Sequence, residues 1–155
     1  MQLICLTNDD GEHQTVKEAD GPKYLYILLL EGDYSAYLGR PTSELTDHHI
    51  IKVGFSRSPT TRCKQIQSAY PRGSFIWHIV KQDPESGSEA LPNAEVAMAG
   101  EDAMKKRLAE EGGECLGGEF FLAEDNLFER TMSVGRFYAD AKQDELGLQR
   151  VAPDR

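Results

Sequence analysis

Apolar positions in this chain fall into short runs separated by turn formers, a pattern of several small elements rather than a few long ones. Tyr24 to Leu30 is compact and apolar, bounded by Gly21-Pro22 and Glu31-Gly32-Asp33, and its aromatics and isoleucine suit a buried strand. His49 to Gly54 reads as a second strand and Ser74 to Val80 as a third. Tyr34 to His48 holds Gly39, Pro41 and Ser43 without any period, and reads as an insertion between the first two strands. Ser58-Pro59 is a helix start, with a hydroxyl to cap free amides and a proline pre-set for the first turn. That helix is expected from Pro59 to about Tyr70, stopped by Pro71, with Arg72-Gly73 turning the chain. A second helix is expected over Pro92 to Glu110, closed by Gly112-Gly113. Gly117-Gly118 then leads into the short, partly apolar Glu119 to Leu122, and a last helix runs from about Asp125 to Lys142. The fold expected is α+β, a small antiparallel three-stranded sheet flanked by helices. Residues 1–22 form a loose polar lead-in, 23–122 the domain, and 123–155 a C-terminal helix and tail packed on it.

Charges interrupt the apolar faces of these elements. Ala97, Glu101, Met104 and Leu108 recur at helical spacing, which puts the Glu101 carboxylate on an apolar stripe. Burying it alone would cost several kcal/mol, so it must be paired, metal-bound or at a cleft edge. Arg62, Ile66 and Ala69 repeat the pattern in the first helix, placing an arginine where core is expected. The plain explanation for both is an ion pair at the core margin, or an arginine stem packed flat with its head in water. Lys52 lies inside the apolar second strand, and Tyr24 and Tyr26 alternate onto one strand face.

Composition changes the picture in one respect. The 155 residues carry a net charge of −9, which alone argues against a polyanionic partner. Yet His48 to Gln82 contains no Asp or Glu and holds Lys52, Arg57, Arg62, Lys64, Arg72 and Lys81, a local +6. A basic surface can therefore coexist with acids elsewhere. No apolar run approaches the ~20 residues needed to span a bilayer, and the N-terminus lacks the basic region of a secretory signal, so a cytoplasmic chain with no membrane partner is expected. Cys5, Cys63 and Cys115 have no C-x-x-C spacing, and His48, His49 and His78 lack metal-ligand spacing partners.

The order Tyr24-Leu25-Tyr26, Lys52-Val53-Gly54, Arg62 eight residues after that glycine, helical Glu101 and Gly118-Glu119-Phe120-Phe121 resembles the GIY-YIG nuclease superfamily. More narrowly it resembles the phage-type branch, in which lysine replaces the tyrosine of the second signature and the domain closes with Gly-Glu-aromatic-Phe. The resemblance spans about Lys23 to Leu122. It implies Tyr26 as the final tyrosine of the first signature, Lys52 in the second, Arg62 as the family arginine and Glu101 as the metal-binding glutamate. Tyr24 stands where the usual first signature has glycine, and Lys105 where that branch often has histidine. No residue securely matches the family's late asparagine, and Asn126 is a candidate phosphate contact only; Glu95 competes with Glu101 for the metal, but its stripe is polar.

Hydrolysis of a phosphodiester needs an activated water, neutralised phosphate charge and a stabilised leaving oxygen. Magnesium, or another divalent cation such as manganese, tolerates a single protein carboxylate, so Glu101 is chemically sufficient. Tyr26 would deprotonate the water, with Lys52 lowering its pKa or orienting the water, and Arg62 would clamp the phosphate. Arg57, Lys64 and Arg72 would hold flanking phosphates. The function expected is a metal-dependent DNA endonuclease. A catalytically silent nucleic-acid-binding module of the same fold and a protein-interaction domain are the alternatives. Phe120 and Phe121 are expected to pack the sheet against the last helix, and Glu119 to accept backbone hydrogen bonds in its loop.

Overall fold

A computed structural model describes residues 21–85 and 89–148. Much of the expected lead-in, and the end of the tail, therefore lie outside the described residues. Five antiparallel strands form one sheet in the order β3-β1-β2-β5-β4, where β1 is Tyr24–Glu31, β2 His48–Ser56, β3 Ile76–Asp83, β4 Glu114–Gly117 and β5 Phe120–Glu124. The sheet has five strands, not three. The additional pair is a hairpin turned by Gly117 and Gly118, whose φ values of 130° and 57° are open to glycine alone at little cost. Both strands are too short, and β4 too polar, to show an alternating pattern in the sequence.

Helices α1 (Tyr34–Leu38), α2 (Pro59–Gln67), α3 (Ala94–Glu110) and α4 (Phe128–Glu145) complete the α+β fold. The stretch expected as an insertion between β1 and β2 contains α1, capped by the Asp33 side chain on the Ala36 amide at 3.1 Å and ended by left-handed Gly39. Ser58 caps α2 as expected, accepting from the Thr61 amide, but the helix stops at Gln67, three residues short of Tyr70. Asn93 caps α3 through the Val96 amide.

β1 lies inside the sheet and is covered on both faces, which explains its continuous apolar run. Leu25 and Ile27, with Ile51 and Val53 of β2, face a core shared with α3 and α4. Tyr26, Leu28 and Leu30, with Ile50 and Trp77, face a second core to which α2 contributes Cys63 and Ile66. Phe121 joins the first core and Phe120 the second, so only Phe121 packs toward α4. Successive strand residues point to opposite faces, and the phenylalanines are split accordingly.

Candidate functional site

Cross-strand register places Tyr26 opposite Gly54 and Leu28 opposite Lys52, so these residues share one face of the sheet. The Tyr26 ring reaches across onto β2 and its hydroxyl lies over Gly54. A Cβ at position 54 would stand 2.6 Å from the Tyr26 oxygen, so the absence of a side chain is what admits the phenol. Lys52 Nζ donates to that oxygen at 3.1 Å and, on its other side, to the Glu119 carboxylate. Its ammonium also lies 5.4 Å from the Tyr26 ring centroid and 5.9 Å from that of Phe120. Glu119 enters from the β4–β5 turn, held there as its carbonyl accepts from the Val53 amide at 3.1 Å. The sequence reading assigned Glu119 to its own loop; its carboxylate instead anchors the buried ammonium. The signal for this was the unpaired charge of Lys52 within a strand.

Glu101 sits on the inner stripe of α3 and is only 6% exposed. Its partner is Lys105 at 3.0 Å, one helical turn on, rather than Arg62. The fields of Glu119 and Lys52 both reach it. Burial, then repulsion by Glu119, raises the Glu101 carboxyl above its usual range against the pull of Lys105 and Lys52. Glu95 is exposed and faces Lys142 at 3.9 Å.

Arg62 departs from expectation. The buried side of α2 is Cys63 and Ile66, one residue out of phase with the expected stripe, and Arg62 is exposed beside it, its charge acting on Tyr26. Ala69 is likewise exposed beyond the helix end. Burial raises the Tyr26 phenol above its ordinary 10.0, outweighing the opposing effects of Lys52 and Arg62. The sequence predicts that the cations lower it; with Tyr26 only 1% exposed, lost hydration prevails. Burial works against the Lys52 ammonium too, but Tyr26 and Glu119 together hold it above 10.5. At neutral pH the pair is thus a neutral phenol and a charged ammonium.

Of the cations expected to contact phosphates, Arg57, Lys64 and Arg72 are exposed, as is Arg62, and none has a carboxylate partner among the described residues. Elsewhere the pattern is different: Arg40 pairs with Glu114, Lys81 with Glu129, Arg107 and Arg130 with Glu111, Arg136 with Asp83 and Lys142 with Glu95. Arg72 lies at the far end of α2 from Arg57, in the turn before Ile76, which pairs with Glu31. Asn126 follows β5 at its His48 end, whereas Phe120 at the other end pairs with Lys52, so about four residues or ~13 Å of strand separate it from the cluster.

Tyr26, Lys52 and Glu119 are thus in direct contact on the α2 side of the sheet, Tyr26 and Lys52 beneath the surface and part of Glu119 in solvent. Exposed Arg62, and Glu101 on α3, whose stripe packs into the other core, act on them through charge alone. A cleft of about 880 Å³ opens elsewhere, between β3 and α4, lined by Lys81, Asp83, Glu129 and Met132 among others. No group of three or more His, Cys, Asp or Glu among the described residues is placed to hold a metal by protein ligands alone. No helix among the described residues is long and apolar enough to cross a membrane. No protein family, curated protein or solved structure matches the chain.

Proposed function

We propose that this cluster is the centre of a metal-dependent endonuclease of GIY-YIG type that hydrolyses phosphodiester bonds in DNA. The observation that carries the reading is the Lys52 ammonium bridging the Tyr26 hydroxyl and the Glu119 carboxylate, with the Glu101 and Arg62 charges acting on the same cluster. Two of the four residues singled out by type and spacing, Tyr26 and Lys52, are in contact, and the charges of Arg62 and Glu101 reach them, which supports the reading.

Roles follow from protonation states. The Tyr26 oxygen accepts from Lys52, so its own proton is free to engage a phosphate oxygen or water. Because the phenol is neutral in the free protein, it accepts the attacking water's proton only by passing its own to a phosphate oxygen in the same step, and the adjacent ammonium stabilises the phenolate character that develops between the two transfers. Exposed Arg62 binds the phosphate by paired hydrogen bonds. A buried carboxylate repelled by Glu119 and balanced by a partly exposed lysine is a hard-oxygen donor, and that chemistry fits Mg²⁺ or Mn²⁺, with Glu101 as ligand. When bound, the metal would supply charge for the phosphate and leaving oxygen.

The test is nicking of supercoiled plasmid in magnesium by the wild type, Glu101→Ala and Lys52→Ala. Strong loss in both variants is expected; equal activity in all three would mark a contaminant or a wrong site. The Lys105–Glu101 ion pair and the burial of Tyr26 favour a second reading, a nucleic-acid-binding module without catalysis. Salt-sensitive DNA binding with no cleavage under any divalent cation would select it.

A further inference from the structure

Ser56 carries a hydroxyl that the cluster above does not use. It is 8% exposed, and its Oγ has no hydrogen-bond partner among the described residues. Natural folds seldom leave such a group unsatisfied, because the lost hydration is not returned. Register pairs Ser56 with Tyr24 next to the Tyr26–Gly54 pair, so it faces the same side of the sheet as the Tyr26 hydroxyl. In the other direction it stands two residues before Ser58, the cap of α2, and adjoins exposed Arg57.

The start of α2 is capped by Ser58 and Pro59, yet its charges suit a bound anion better than the helix alone. No acid lies in its first turn, while Arg62 occupies the fourth helical position, opposite to the charge preference of a helix N-terminus. The Thr60 amide, two arginines and a buried unsatisfied hydroxyl therefore fall within the one segment from Ser56 to Arg62, where β2 passes into α2.

We infer that Ser56 is a phosphate-binding residue, its Oγ donating to a non-bridging oxygen of a polynucleotide phosphate held at the α2 N-terminus by Arg57 and Arg62. This rests on the nucleic-acid reading above, and it extends that reading to a group with no charge. The hydroxyl fixes where the phosphate sits relative to Tyr26, whereas the arginines supply attraction.

Fluorescence anisotropy of a short labelled DNA duplex, in chelator at low salt, tests it with the full chain, Ser56→Ala and Arg62→Ala. Ser56→Ala should melt no lower than wild type, since it deletes an unsatisfied group. It should nevertheless bind about tenfold more weakly, the worth of one hydrogen bond to a charged oxygen. The slope of log affinity against log salt should be unchanged in Ser56→Ala and about one unit shallower in Arg62→Ala. Unchanged affinity in Ser56→Ala with weakened Arg62→Ala would overturn the role of Ser56 and leave the nucleic-acid reading standing. Absence of duplex binding by the wild type would sink both. Stabilisation of wild type by inorganic phosphate, lost in Ser56→Ala without duplex binding, would replace the polynucleotide by a free anion and so also overturn the inference.

Discussion

A lysine whose side chain is 10% exposed keeps its charge only if its neighbours replace the water it gave up, and Lys52 obtains this from Tyr26 and Glu119. The consequence appears in alkali. Tyr26 is raised above 10.0 and Lys52 above 10.5, so the folded protein holds both protons more tightly than the unfolded chain. The stability this contributes is complete below the unfolded values and is lost as pH rises through 10.0 and 10.5 toward the raised ones. Tyr26→Phe should therefore lose less melting temperature than wild type between about pH 9 and 11, whatever its stability at neutral pH. Parallel profiles would show that the phenol is not the source. Lys105 poses the converse case. Lys105→Met would leave Glu101 buried without its nearest cation, so it should melt lower at neutral pH and recover on adding Mn²⁺ by more than wild type gains. The double variant Lys105→Met, Glu101→Gln should show no such recovery; a recovery there would place the cation elsewhere.

Among the elements, what was readable in the sequence depended on how much pattern each residue run contains. The α3 stripe of Ala97, Glu101, Met104 and Leu108 spans three turns, and all four residues are buried as the spacing requires. The helix α2 has nine residues, too few to distinguish stripes one position apart, and Ile66 belongs to both the expected stripe and the observed one. Hence Arg62 was expected on the inner face but lies in solvent. The β4–β5 hairpin left no alternation to read, and with it went the position of Glu119. The contact of α3 with α4 was invisible for another reason: it depends on two glycines meeting across the interface. A Cβ at Gly100 would stand 2.8 Å from the Gly135 carbonyl oxygen and 3.0 Å from a Leu25 methyl. The carbonyl is backbone and cannot step aside alone. Gly100→Ala should therefore destabilise by about 1–3 kcal/mol despite its better helix propensity, as read by urea unfolding. A gain in stability would mean that the two helices separate freely at this point.

Over the whole molecule, a net charge of −9 coexists with one segment whose exposed cations have no carboxylate partners, and the proposed polyanion would have to approach there. The protein's remaining cations in the described structure are mostly bonded to carboxylates, whereas Arg57 before α2, Arg62 and Lys64 within it and Arg72 after it have none. The acid-free stretch announced this segregation in the sequence, but two of its six cations are otherwise engaged, Lys52 beneath the surface and Lys81 with Glu129. That difference is measurable, because each neutralised phosphate releases counterions in proportion. Four contacts on duplex DNA give a log–log salt slope of about −3.6, whereas six would give about −5.4. We expect a slope no steeper than the first of these, and a decrease of about one unit for Arg57→Ala or Lys64→Ala. The acids on the other faces make the steepness diagnostic: they repel a duplex that approaches any side but α2, so weak binding there would add no slope of its own. A slope unaffected by all four alanine substitutions would detach nucleic acid from this helix and leave the buried Lys52 cluster without a substrate delivered to it.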